Sequence, residues 1–246
     1  MKQKKMLALS LVVVLLIGLF AMAPAASATT TGNVNLLYAK PTYSGMNVGA
    51  TGYVEIKDLG VNKAVFIRYC NNNGEWAEIE AEYFKDTHGD YEAWKFDIPH
   101  FYIGMRGSAN IQFAIRYEAG TAAPEWDNNG GLNYRVKAGY SVSAQYDIGV
   151  AGLAYMNASS VYQGTRVDIQ LKNLGYDKDV RVRYTTDNWA TYQEASGYYV
   201  STFPDSYIER WEVYVPTLDP IKFAISYTAG GVTYWDNNFG DNYTYG

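Results

Sequence analysis

Two stretches concentrate the polar chemistry of this chain. Trp126-Asp127-Asn128-Asn129 is followed by Asn133, and Trp235-Asp236-Asn237-Asn238 is followed by Asn242. A flat indole beside one carboxylate and several carboxamides matches a pyranose, which has apolar C–H faces and a rim of hydroxyls. The ring offers area at small conformational cost, and Asn and Asp pair with hydroxyls in fixed geometry. The same residues also read as an Asn/Asp-rich turn joining two strands, with the Trp in the core. Trp76 and Trp189 follow turn residues and so sit at loop edges, either as stacking platforms or as core. Lys63 and Lys178, just past an Asx-Leu-Gly turn, are either solvated charges or donors to sugar hydroxyls. Trp94 and Trp211 lie inside alternating strands and read as core.

Other chemistries find little material. A glycosidase needs two carboxyl groups flanking the bond. The acids matched in both halves are Asp127 with Asp236 and Glu92 with Glu209, and the glutamates read as exposed strand positions. Each half therefore offers one loop carboxylate. Both histidines, His88 and His100, lie in the first half, so no Ser-His-Asp arrangement recurs. The Asp-Asn-Asn loops lack the spaced acids and distal Glu of a calcium loop. The lone cysteine, Cys70, rules out an intrachain disulfide framework and a Cys-rich metal site; it reads as a small, half-buried strand residue. A net charge of −5 disfavours a polyanion such as nucleic acid. No catalytic residue, metal or cofactor is expected.

The elements that must position these residues come as a repeat. Residues 54–69, VEIKDLGVNKAVFIRY, match 169–184, IQLKNLGYDKDVRVRY; IQFAIRY at 111–117 matches IKFAISY at 221–227. The expected correspondences also pair Trp76 with Trp189 and Trp94 with Trp211. Alternating β-branched and aromatic residues, separated by turns such as Asn128-Asn129-Gly130-Gly131, predict short half-buried strands. No sustained helical stripe follows residue 28. The fold class expected is all-β, two similar sandwiches in tandem. Residues 1–28 read as a cleaved signal peptide: Lys2, Lys4 and Lys5, an apolar run from Leu7 to Met22, then Ala26-Ser27-Ala28. The expected boundaries are 33–138 and 150–246, with 139–149 as linker.

The block KNLGYDKDVRVRYTTDNW at 172–189, with IKFAISYTAGGVTYWDNNFGDNY at 221–243, resembles the family 21 carbohydrate-binding modules, which include starch- and glycogen-binding domains. The first half resembles them less closely, through KDLGVNKAVFIRY and IQFAIRYEAGTAAPEWDNNGGLNY. The resemblance implies immunoglobulin-like sandwiches that bind α-1,4-glucans without catalysis. It implies a principal site of Asn173, Lys178, Trp189, Trp235, Asn237 and Asn242 in the second unit. In the first the site would be Asp58, Lys63, Trp76, Trp126, Asn128 and Asn133. Asp58 replaces an Asn, and the segment 121–124 lengthens the hairpin before Trp126. An aromatic that some members carry is Ala114 and Ala224 here. Tyr176 fits a second site, for which the first unit has Val61, so the second unit is expected to bind more tightly or to have an extra site. The ligand implied is a starch or glycogen chain, held by an exported monomer with no membrane segment after leader cleavage, and a separate amylolytic enzyme is a candidate partner. A small glucan-active enzyme and an adhesion module that binds protein are the rival readings.

Overall fold

A computed structural model describes residues 32–71, 74–139 and 143–246; the leader expected at residues 1–28 lies outside them. Unit one contains β1 (Val34–Ser44), β2 (Asn47–Lys57), β3 (Lys63–Cys70), β4 (Trp76–Glu80), β5 (Glu82–Asp86), β6 (Tyr91–Tyr102), β7 (Ser108–Ala119), β8 (Glu125–Asp127), β9 (Tyr134–Gly139) and β10 (Asp147–Ile148). Unit two contains β11 (Leu153–Val161), β12 (Gly164–Lys172), β13 (Lys178–Thr185), β14 (Gln193–Thr202), β15 (Ile208–Val215), β16 (Ile221–Ala229), β17 (Val232–Asp236) and β18 (Tyr243–Tyr245). Each unit is an immunoglobulin-like β-sandwich, as the sequence predicts.

In unit one a sheet of order β10-β1-β2-β6-β5 packs on a sheet of order β4-β3-β7-β8, with β9 also paired to β7. The matching strands of unit two form one continuous sheet, β11-β12-β15-β14-β13-β16-β17, with β18 on β16. The difference lies in one strand. β14 pairs with both β13 and β15 and so crosses between layers, bulging at Tyr199/Ser201. In unit one the same path breaks at buried Ala81 into β4 and β5.

Alternation sorts the side chains. In β16, Ile221, Phe223, Ile225 and Tyr227 are buried in the second core, while Lys222 faces out. In β3, Val65 and Ile67 join the first core, while Arg68 faces out. Tyr117 and Tyr227, which end the matched IQFAIRY and IKFAISY segments, donate their hydroxyls to Lys57 O and Lys172 O, each at 2.8 Å. Those bonds fasten one sheet to the other in both units. Cys70 is half-buried at the end of β3.

Several expectations are corrected. Glu92 and Glu209 are not exposed strand positions: they are buried, each accepting an indole N–H, from Trp94 at 3.0 Å and Trp211 at 2.9 Å. Trp94 is core as expected, but Trp211 is only half-buried, leaning on the second core with an open edge. The segment 139–149 is not a bare connector. Its strand β10 joins the first sheet through Tyr38↔Ile148 and Ala39↔Asp147. Tyr146, Ile148, Ala154, Phe203 and Ile208 make a third apolar cluster where the units meet. Gln170 clamps that seam, accepting from Tyr146 N at 2.9 Å and donating to Ala144 O at 2.7 Å.

Asp147 sits in that seam. Burial pushes its carboxyl up to about 6, against the hydrogen bond from Arg135 N. The native state therefore keeps this proton to higher pH than the unfolded chain does. Its contribution falls as pH rises from about 4 to about 6. Replacing it by Asn removes that slope. The melting temperature of Asp147→Asn relative to the parent is expected to rise between pH 4 and pH 7. A difference that stays constant across that range contradicts this.

Candidate functional site

The asparagine loops are built identically in both units, starting from an inward carboxylate. Asp127 pairs with buried Ile115, and Asp236 with buried Ile225, so both point into the sandwich. Asp127 accepts from Tyr134 OH at 2.8 Å, Leu36 N at 2.8 Å and Asn129 N at 3.3 Å. Asp236 accepts from Tyr243 OH at 2.7 Å, Tyr155 N at 2.8 Å and Asn238 N at 3.3 Å. Burial pushes the Asp236 carboxyl up, opposed by those bonds, and the Tyr134 and Tyr243 hydroxyls are pushed up by burial beside these carboxylates. The next residues close the loop. Asn128 and Asn237 accept from Gly131 N and Gly240 N, each at 2.9 Å. Asn129 and Asn238 donate to Asn133 O and Asn242 O, each at 3.3 Å. Asn133 and Asn242 take left-handed backbone, φ 58° and 59°, which asparagine tolerates.

This corrects part of the sequence reading. Asp127, Asp236, Asn129 and Asn238 spend their groups on the loop itself, as in the turn reading of the motif. The tryptophans do not follow that reading. Because side chains alternate along a strand, an inward Asp places its predecessor outward. Trp126 is 47% exposed and Trp235 is half-buried on the outer face.

The outer faces carry further aromatic and cationic groups. In unit two, Arg183 lies 5.0 Å over the Trp235 ring and 4.7 Å over Tyr192. Glu194 holds it there at 2.7 Å. Reaching from β13 to β17 takes Arg183 across β16, where its cross-strand neighbour is Ala224. An alanine leaves room for that crossing, a physical reason for the missing aromatic. In unit one, Arg68 lies 5.9 Å over Trp76, which is 45% exposed, and Arg116 stacks 4.1 Å over Phe66.

Register corrects one correspondence. Tyr69 pairs with Ala77 and Tyr184 with Gln193, so Trp76 corresponds to Tyr192 rather than to Trp189. Trp189 stands in the preceding loop at φ 71°. Thr185 and Asp187 hold that loop: Thr185 Oγ1 accepts from Trp189 N at 3.0 Å, and Asp187 accepts from Thr185 and Thr191. These hydrogen bonds hold the Asp187 carboxyl down to about 2. Trp189 is half-buried, and Lys222 donates to neighbouring Asn188.

The lysines lie elsewhere. Lys63 and Lys178 point with the core-facing set at the sandwich end, away from these indole faces. Lys63 pairs with Glu92 at 2.5 Å and Asp58 at 2.7 Å, and Lys178 with Glu209 at 3.3 Å. Each glutamate then fixes its indole. Against those indoles stand Tyr83, 6.3 Å from Trp94, and Tyr199, 6.2 Å from Trp211, both rings edge-on and exposed. Asn173 is exposed on the same turn and Tyr176 is 98% exposed. Sequence reasoning missed Tyr83, Tyr199, Tyr192 and Arg183. Tyr83 and Tyr199 sit in strands that do not match between the halves, and Tyr192 just precedes one, so only register finds them.

Removing the Asp236 carboxylate leaves three donors without an acceptor. Asp236→Ala is expected to lower stability by about 3 kcal/mol or more, measured by urea denaturation. A loss below about 1 kcal/mol contradicts the role given to this group.

The model of the carbohydrate/starch-binding module (family 21) matches residues 31–137 and again 152–245. Protein phosphatase 1 regulatory subunit 3C of Rattus norvegicus is 35% identical over 82 residues, 30% of this chain and 26% of its own length. Glycogen-binding subunit 76A of Drosophila melanogaster is 29% identical over 82 residues, 31% of this chain and 12% of its own. The chain thus spans about a quarter or less of these relatives. A solution structure of the carbohydrate-binding module of the muscle glycogen-targeting subunit of protein phosphatase 1 is 22% identical. It covers 38% of this chain and 74% of its own, with a TM-score of 0.34.

Proposed function

The chain belongs to the carbohydrate/starch-binding modules of family 21, and from that membership we propose that it is a non-catalytic protein that holds α-1,4-glucans such as starch or glycogen. The supporting observation is the pair Trp126 and Trp235. They face outward at matching register positions, each at the foot of the same asparagine loop. The indole takes the sugar face, while Asn128, Asn133 and Asn237 present carboxamides at the loop rim; the Asn242 side-chain oxygen is buried and turned away from it. Trp76 in unit one, and Tyr192 with Trp189 in unit two, extend the stacking surface. A second contact in unit two uses Asn173, Tyr176, Tyr199 and the open edge of Trp211, with Lys178 orienting the indole through Glu209. Unit one has Asp58 and Val61 on that turn, which favours unit two there. The recurring carboxylates are all committed to bonds within the fold, in keeping with binding rather than hydrolysis.

Two sites on one chain give avidity when a single glucan reaches both. The relatives above carry the names of phosphatase and glycogen-binding subunits, and the polysaccharide itself is the ligand proposed. The leader-like residues 1–28 support export and a place outside the cell.

Losing one indole face weakens a site by about tenfold or more. Gel retardation in amylopectin is expected to show Trp235→Ala migrating faster than the parent and Trp126→Ala/Trp235→Ala hardly retarded. Lys178→Ala should do less. Insoluble starch, but neither cellulose nor chitin, should pull the parent down. Unchanged retardation of the double variant, or sustained release of reducing sugar from soluble starch, overturns the proposal.

A further inference from the structure

Phe239 stands where unit one has Gly130. Both take left-handed backbone, φ 55° and 64°. Glycine adopts that conformation freely and phenylalanine does not, so its side chain needs a purpose outside its own turn. A Cβ added to Gly130 would meet nothing within 4 Å, so the loop of unit one stands open there. The Phe239 ring instead packs on the other unit, 4.7 Å from Tyr53 and 5.1 Å from Phe84. Lys85, also of unit one, donates to Phe239 O at 2.8 Å and pairs with Asp241 at 3.4 Å. Both residues lie between Asn237 and Asn242, inside the loop that borders Trp235. The strain of one residue is thus held by a ring cluster that spans the two sandwiches.

We propose that unit one braces the glucan loop of unit two, with Phe239, Tyr53, Phe84 and Lys85 as positioning residues for sugar binding at Trp235. The inference rests on reading that loop as a glucan site. A braced loop has already lost the freedom that sugar binding would otherwise remove, so affinity rises without a new sugar contact. The coupling is reciprocal: glucan on unit two tightens the docking of the two units. The Lys85–Asp241 pair is exposed and adds little; the rings carry the effect. Among the described residues nothing lies within 4 Å of a Cβ at Gly130, so the brace is a property of the tandem.

Calorimetric titration with maltoheptaose tests this on the full chain carrying Trp76→Ala and Trp126→Ala, which silence the face of unit one. Adding Tyr53→Ala and Phe84→Ala, both in unit one, is expected to weaken binding roughly threefold to tenfold, and Phe239→Gly to do the same. Phe239→Tyr keeps the ring and should stay within about twofold. If the Tyr53/Phe84 variant fails to fold, Phe84→Ala alone, at a residue 40% exposed, reads the same contact and should weaken binding about threefold. Binding unchanged by Phe239→Gly and by the unit-one variants overturns the brace while leaving the glucan site standing. No binding by the Trp76→Ala/Trp126→Ala background sinks the glucan site of unit two, and the brace with it.

Discussion

One inward carboxylate per unit organises the rest. Asp127 and Asp236 each tie the last loop to the first strand of their sandwich, through Leu36 N and Tyr155 N, and to the strand after the loop, through a tyrosine hydroxyl. A carboxylate in that position is costly unless its oxygens are bonded, and here the fold supplies three donors. Closing the sandwich and aiming the tryptophan are the same act. With the Asp fixed inward, strand alternation leaves Trp126 and Trp235 no place but the outer face.

Much of this was legible in the residues. The period-two patterns of β3, β13 and β16 gave the sandwich, and the duplicated strings gave two units. The motif could be read as a sugar site or as a turn; the turn reading describes Asp127, Asp236, Asn129 and Asn238, while the tryptophans face outward, as a sugar site would require. What sequence could not give was direction and register. Glu92 and Glu209 looked exposed because alternation says nothing of a lysine arriving from the opposite sheet to neutralise them. Tyr192 is hidden behind Trp189, the more conspicuous residue, until the Tyr184↔Gln193 register makes it the equivalent of Trp76. The seam was illegible for a similar reason: Phe239 looks like loop variation until Tyr53 and Phe84 appear beside it.

The two units use one scaffold differently. Unit one exposes Trp76 and Trp126 and leaves its loop open, whereas unit two lays Arg183 across Trp235 and Tyr192. A guanidinium over a ring keeps a flat, polar-edged platform in place, and Glu194 fixes its angle. The small Ala224 beneath is part of that arrangement. The cluster of Tyr146, Ile148, Ala154, Phe203 and Ile208 packs the sandwiches against each other.

The six indole N–H groups offer the most direct view of whether outward rings meet sugar. Following their nitrogen–proton resonances during addition of maltoheptaose to the intact chain should move the signals of Trp126 and Trp235 and leave buried Trp94 in place. Signals of Trp126 and Trp235 that stay fixed at saturating sugar would contradict the account.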